Sequence, residues 1–149
     1  VFEVINDLDS INKKISSFFN NCVMVTIDYG FNDYNKLFLK NPNGLVRCYY
    51  NHSMDKNILK NIGEKDITCD VNFNYLNDSL GKFGLHKIAN TTQEKFLIKN
   101  GFKKYFDNAI KNEEKRSLIS LVNPDGLGGF HVYYHEKPKG SFSPSCLND

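Results

Sequence analysis

The sequence predicts an α/β protein, and three observations carry that prediction. Apolar residues recur at helical spacing over Ile5–Phe19. A short, almost wholly apolar run rich in β-branched residues follows at Cys22–Ile27. Further helical stripes then alternate with short strand-like runs as far as His135. The order is helix, strand, long loop, helix, strand, two helices, strand, which amounts to half of a doubly wound sheet.

In the first helix Ile5, Leu8, Ile11, Ile15, Phe18 and Phe19 fall on one face, expected to point inward. Cys22–Ile27 reads as a strand buried on both faces of a parallel sheet. It stops at Asp28-Tyr29-Gly30, so polar groups arrive at its C-terminal end, where open α/β sheets bind ligands. Phe31–Asn43 is an irregular, aromatic-rich connection, and Gly44–Tyr50 a short strand with His52 in the loop beyond. Phe73, Leu76, Leu80 and Phe83 form one stripe of a helix that Gly84 stops, as a residue tolerant of positive φ does. Leu85–Ala89 is a strand. Thr91 with Glu94 has capping-box spacing and opens a helix whose apolar face is Phe96, Leu97 and Phe106. Asn112–Val122 is a helix with Leu118, Ile119 and Val122 inward, Asn123–Gly126 a turn, and Phe130–His135 the last strand. One domain over residues 1–137 and a flexible tail over 138–149 complete the expectation.

Composition removes several classes of function. The net charge of +2 in 149 residues is too small to imply a nucleic acid or an anionic membrane surface. Cys22, Cys48, Cys69 and Cys146 have neither zinc-site nor disulfide-framework spacing, which predicts reduced thiols. No apolar run approaches the roughly 20 residues that span a bilayer. The chain opens at Val1 in mid-pattern, which suggests a piece of a larger protein. Sequons at Asn51, Asn77 and Asn90 are discounted in so Asn-rich a chain.

Other motifs have plain readings. Gly126-Leu-Gly128-Gly129 precedes a strand, whereas a phosphate loop follows a strand and opens a helix; it reads as a turn. His131 and His135 would share a strand face roughly 13 Å apart, too far for one metal ion, and His86 has no partner in sequence. No Ser, Cys or Lys pairs with a base by spacing. Three polar groups remain: Asp28-Tyr29 at a strand end; Arg47, Tyr49 and His52; and the block Gly63–Phe73, with Glu64, Asp66, Thr68, Asp70 and Asn72. Side chains of that block either cap the following helix or line a site.

A series of short motifs runs through these segments. They are Ile27-Asp28-Tyr29-Gly30; Gly44-Leu45-Val46-Arg47-Cys48-Tyr49 with His52; Gly63-Glu64, Asp66-Ile67-Thr68, Val71 and Phe73; Thr92-Gln93, Phe96-Leu97 and Gly101; and Leu127-Gly128 with Phe130 and Val132. Taken in order, they resemble the C-terminal half of the MidA-like methyltransferases. That class I S-adenosylmethionine-dependent family has a mitochondrial member that assembles respiratory complex I. The resemblance covers most of Val23–Val132. It departs at Asp70 and Asn72, where the family carries His and Asp.

The resemblance implies the C-terminal part of a class I, Rossmann-like sheet, with Phe130–His135 as its closing antiparallel strand and the cofactor-binding half absent. The family's glycine-rich loop and ribose-holding acid lie upstream. S-Adenosyl-L-methionine is therefore the expected cofactor, with no cofactor-binding or metal residue in this chain and no catalytic residue assigned. The implied activity is methyl transfer to a protein arginine, with a protein substrate such as a respiratory complex I subunit as partner; the isolated chain is expected to be inactive. The expected place is the mitochondrion in a eukaryote and the cytoplasm in a bacterium. Asp28 and Asp66 are the implied guanidinium holders, with Tyr29, Arg47, Tyr49, His52 and Thr68 facing the substrate beside them. The alternative is a diverged, non-catalytic module that binds a partner or completes a fold.

Overall fold

The fold is that of a computed structural model, which describes residues 6–33, 39, 44–51 and 53–143. Ile5, His52 and Cys146 lie outside the described residues, as do most of the connection 34–43 and the tail from 144. The main sheet has three strands: β1 (Cys22–Asp28), β7 (His86–Thr92) and β8 (His131–Lys137), in the order β1-β8-β7. The last strand lies in the middle, antiparallel to both neighbours, so β1 and β7 run parallel to one another on either side of it. Tyr133 and Tyr134 of β8 are buried on opposite faces, which makes this strand the centre of the core.

Helix α2 (Phe73–Lys82) covers one face, its Phe73 ring stacked on Tyr133 at 4.5 Å. Helix α3 (Gln93–Lys99) covers the other, where Phe96 meets Tyr134 edge-on at 6.1 Å. Next come α4 (Phe102–Asn108) and α5 (Asn112–Val122), the latter packing on α3 and on a 3-10 turn, Leu127–Gly129. Asn72 caps α2 by accepting from the Tyr75 N–H at 3.1 Å. The cap of α3 is Thr92, accepting from Lys95 N–H at 3.4 Å, not Thr91, which β7 retains as its penultimate residue. Gly101, at φ +91°, separates α3 from α4, so Phe106 belongs to a helix of its own. Ile119, expected inward on α5, is exposed.

Between β1 and α2 stands a flap that the sequence reading largely missed. Strands β3 (Arg47–Tyr50), β4 (Ser53–Asp55) and β5 (Asp66–Thr68) form an antiparallel sheet ordered β4-β3-β5. Two-residue strands β2 (Gly30–Phe31) and β6 (Val71–Asn72) pair in parallel and tie the flap to the end of β1. Their close approach depends on Gly30: a Cβ there would lie 2.1 Å from the Val71 carbonyl oxygen and 2.8 Å from the Phe73 ring. Because the nearest obstacle is backbone, Gly30→Ala is expected to cost about 3 kcal/mol, at the upper end for overpacking. Urea denaturation checks this, and a loss below about 1 kcal/mol would refute the close-approach argument.

Two sequence expectations are overturned. Helix α1 (Leu8–Ser17) turns polar residues inward: Asn12 and Ser16 are buried, while Ile11 is 50% and Phe18 68% exposed. The buried side is satisfied by specific bonds. Asn12 Nδ2 donates to Ser79 Oγ at 2.9 Å, Ser79 Oγ to Asp9 at 2.5 Å, and Lys137 Nζ to the Ser16 carbonyl at 2.9 Å. A polar helix face can be buried when every group on it finds a partner. Nor is β1 buried on both faces in a parallel sheet. It is an edge strand of the described sheet, pairs antiparallel, and leaves Val23, Val25 and Ile27 exposed because α3 does not reach over it. At the far end, the Gly140 and Phe142 N–H groups donate to the Glu136 carboxylate, anchoring the chain just beyond β8.

Candidate functional site

Polar side chains gather at the C-terminal end of β1, from segments far apart in sequence. Asp28 ends the strand, and its Oδ1 accepts the Tyr29 N–H at 2.8 Å. The register sets Asp28 opposite His131, and His131 opposite Thr92, so the three occupy one row across the sheet. Tyr29 packs edge-on against Phe130 at 5.4 Å. Over the Tyr29 ring, 5.5 Å from its centroid, lies the guanidinium of Arg47 from β3. Arg47 donates to Asp70 Oδ1 at 2.7 Å in a half-buried ion pair. The Asp70 hydrogen bond raises the Arg47 pKa further, so this cation is permanent.

The flap carries the other candidates. Tyr49 stands opposite Met54 and Asp66, and Arg47 opposite Thr68. Cross-strand partners share a face, so Arg47, Tyr49, Met54, Asp66 and Thr68 lie on one side of the flap. On that side a cleft of about 470 Å³ is lined by Tyr49, Asn51, Glu64 and Asp66. The Thr68 hydroxyl oxygen is sealed from solvent and has no hydrogen-bond partner among the described residues.

The structure thus brings Tyr29 and Arg47 together, groups Tyr49 with Asp66, and places Asp28 at the strand end facing His131. His52 lies outside the described residues. Sequence reasoning assigned no role to Asp70, the partner of Arg47, or to Asn51 and His131. The only local hint was the polar block itself, because Arg47 and Asp70 meet across 23 positions. The block divides between residues: Asn72 caps α2, while Glu64 and Asp66 line the cleft.

The glycine-rich run 126–129 precedes β8, and a Cβ on Gly128 would lie 2.5 Å from the Val122 backbone, so the space beside it is filled. Among the described residues no three His, Cys, Asp or Glu side chains converge as metal ligands. None of the helices described is long and apolar enough to cross a membrane. Cys22, Cys48 and Cys69 are unbridged, and the buried Cys48 thiol lies 2.8 Å from the Asp55 carbonyl oxygen.

This mixed α/β fold recurs in solved proteins. An uncharacterized protein from Burkholderia thailandensis superposes with a TM-score of 0.80 at 18% identity, over 90% of this chain and 38% of that one. A second member of its superfamily, from the same organism and described as a "likely methyl transferase" bound to S-adenosyl-homocysteine, gives 0.76 at 18%, over 87% and 35%. The chain therefore spans less than two-fifths of either neighbour. No protein of curated function matches the sequence. A family model described as "Putative S-adenosyl-L-methionine-dependent methyltransferase" matches residues 1–91, and the chain belongs to that family.

Proposed function

We propose that this chain is the substrate-facing, sheet-closing part of an S-adenosylmethionine-dependent methyltransferase acting on a protein arginine, of the type that serves complex I assembly. The cofactor would be held by residues upstream. The choice of acceptor follows the family resemblance, and the observation that supports it is that carboxylate and aromatic side chains gather at the end of β1, where Asp70 and Tyr29 engage Arg47. Carboxylate and aromatic face are what a guanidinium needs from a protein. This strand end lies where open α/β sheets bind ligands.

Titrating the 149-residue chain with S-adenosylmethionine in a calorimeter is expected to give no measurable heat of binding. Micromolar affinity would overturn the upstream placement of the cofactor. The coding sequence upstream gives a second test. A strand followed by G-x-G-x-G, with an acidic residue ending the next strand, is expected there, and its absence would sink the enzymatic reading. In that event the partner-binding alternative gains, since exposed Ile11, Phe18, Val23, Val25 and Ile27 already offer apolar contact surface.

A further inference from the structure

We infer that the chain self-associates about a two-fold axis through the elbow between α4 and α5, each copy inserting its Ile110 into the groove that these two helices form on the other. The occupant of the groove is thus a second copy of this chain. The inference does not depend on the reading as a methyltransferase, since neither the flap nor the polar end of β1 takes part.

Packing in the single copy leaves this part of the molecule unfinished. No residue of α3, α4 or α5 is buried, although the three helices carry Phe96, Leu97, Phe102, Phe106, Leu118 and Val122. Helices as short as the seven residues of α4 owe their stability to an apolar face packed on something else, not to propensity. Ile110, which joins α4 to α5, is 91% exposed, more than any other large apolar residue described. Beside it the two helices leave a groove of about 520 Å³, lined by Tyr105, Ala109, Ser117 and Leu118 together with Glu113 and Glu114.

What adjoins the groove decides its occupant. A two-fold contact uses the same patch on both copies, so that patch must carry a projection and its receptor side by side. Ile110 is the projection, and the groove beginning at its neighbour Ala109 is the receptor. A branched aliphatic side chain gains by leaving water for the apolar surface of Ala109, Leu118 and the Tyr105 ring. The charges agree with this exchange. Lys111 follows Ile110 towards the partner, whose groove presents Glu113 and Glu114. Within one copy those charges are not matched to each other. Lys103 pairs with Asp107, Lys115 lies over the Phe106 ring at 5.7 Å, and Glu114 accepts only the backbone N–H of Lys111, at 3.3 Å. The Lys111 ammonium and the Glu113 carboxylate make no ion pair among the described residues. Meeting across the axis, they fix the orientation of the pair while burial of Ile110 drives it.

The test is sedimentation velocity of the 149-residue chain at concentrations from about 1 μM to 1 mM. The average mass is expected to rise with concentration from 17.1 kDa towards twice that value. Ile110→Glu is expected to stay monomeric throughout; its side chain is solvent-exposed in the single copy, so its urea midpoint should match that of the unmodified chain. Lys111→Glu is expected to weaken association about threefold or more, and adding Glu113→Lys in the same chain to restore it. Val25→Lys, on the exposed apolar strip of β1, is the control and should associate as the unmodified chain does. A chain that is monomeric at every concentration, association that survives I110E, association that a folded V25K chain loses, or a K111E/E113K chain no stronger than K111E would each overturn the inference.

Discussion

Phe73→Ala is expected to destabilise the fold by about 3–5 kcal/mol, the range for removing a fully buried aromatic ring. Phe73 is 0% exposed and opens α2 immediately after β6. Its ring stacks on Tyr133 at 4.5 Å and meets His131 edge-on at 5.1 Å. Truncation would therefore leave a void beneath the central strand and unseat Tyr133, whose hydroxyl bonds Asn32 beside the site. The cost adds the lost transfer energy to that of a cavity which the rigid strand above cannot close. Urea denaturation measures it, and Phe73→Leu is expected to recover more than half. A loss under about 1.5 kcal/mol for the alanine variant would mean that the ring is not central to the core.

The second large effect is a dependence on pH between about 6.5 and 4. His135 is fully buried on β8, its Nε2 lies 2.9 Å from Asn77 Oδ1, and its Nδ1 has no partner among the described residues. Burial first, and the positive charge of Lys87 second, hold its pKa down to about 4 from an ordinary 6.5. The native state thus keeps the imidazole neutral at pH values where the unfolded chain protonates it. Stability is full above about pH 6.5 and falls as the pH drops, by about 3 kcal/mol once pH 4 is reached. Unfolding free energies of the chain and of His135→Gln across this window test the assignment. The variant can still donate to Asn77 but cannot titrate, so its profile should be markedly shallower, keeping only the fall near pH 4 that comes from carboxylates held low in the fold, such as Glu136. An equally steep profile in the variant would rule out His135 as the source.

Much of the fold was legible in sequence because local patterns report local structure. Asn112–Val122 and the turn after it stand where periodicity and Asn-Pro-Asp-Gly place them, and β1 and β8 run within two residues of their expected ends. The flap was not legible. Strands of two or three residues, such as β5 and β6, are too short to show a period, and their polar residues look like a helix cap. Helix α1 misled for a different reason. Its apolar stripe is real, but a partner surface decides which side is buried, and α2 offers Ser79, Lys82 and the Phe83 carbonyl.

The sequence by itself determined the α/β class, the order of the longer elements and the kinship with S-adenosylmethionine-dependent methyltransferases, because periodicity and ordered motifs are properties of the chain read along its length. Only the tertiary structure decided that β8 sits between β1 and β7, that α1 buries its polar side, that Arg47 belongs to Asp70, and that Lys65 turns away from the two acids flanking it. These outcomes depend on which segments come together and in what register. That is settled by packing and hydrogen-bond satisfaction between residues tens of positions apart, which no local pattern encodes.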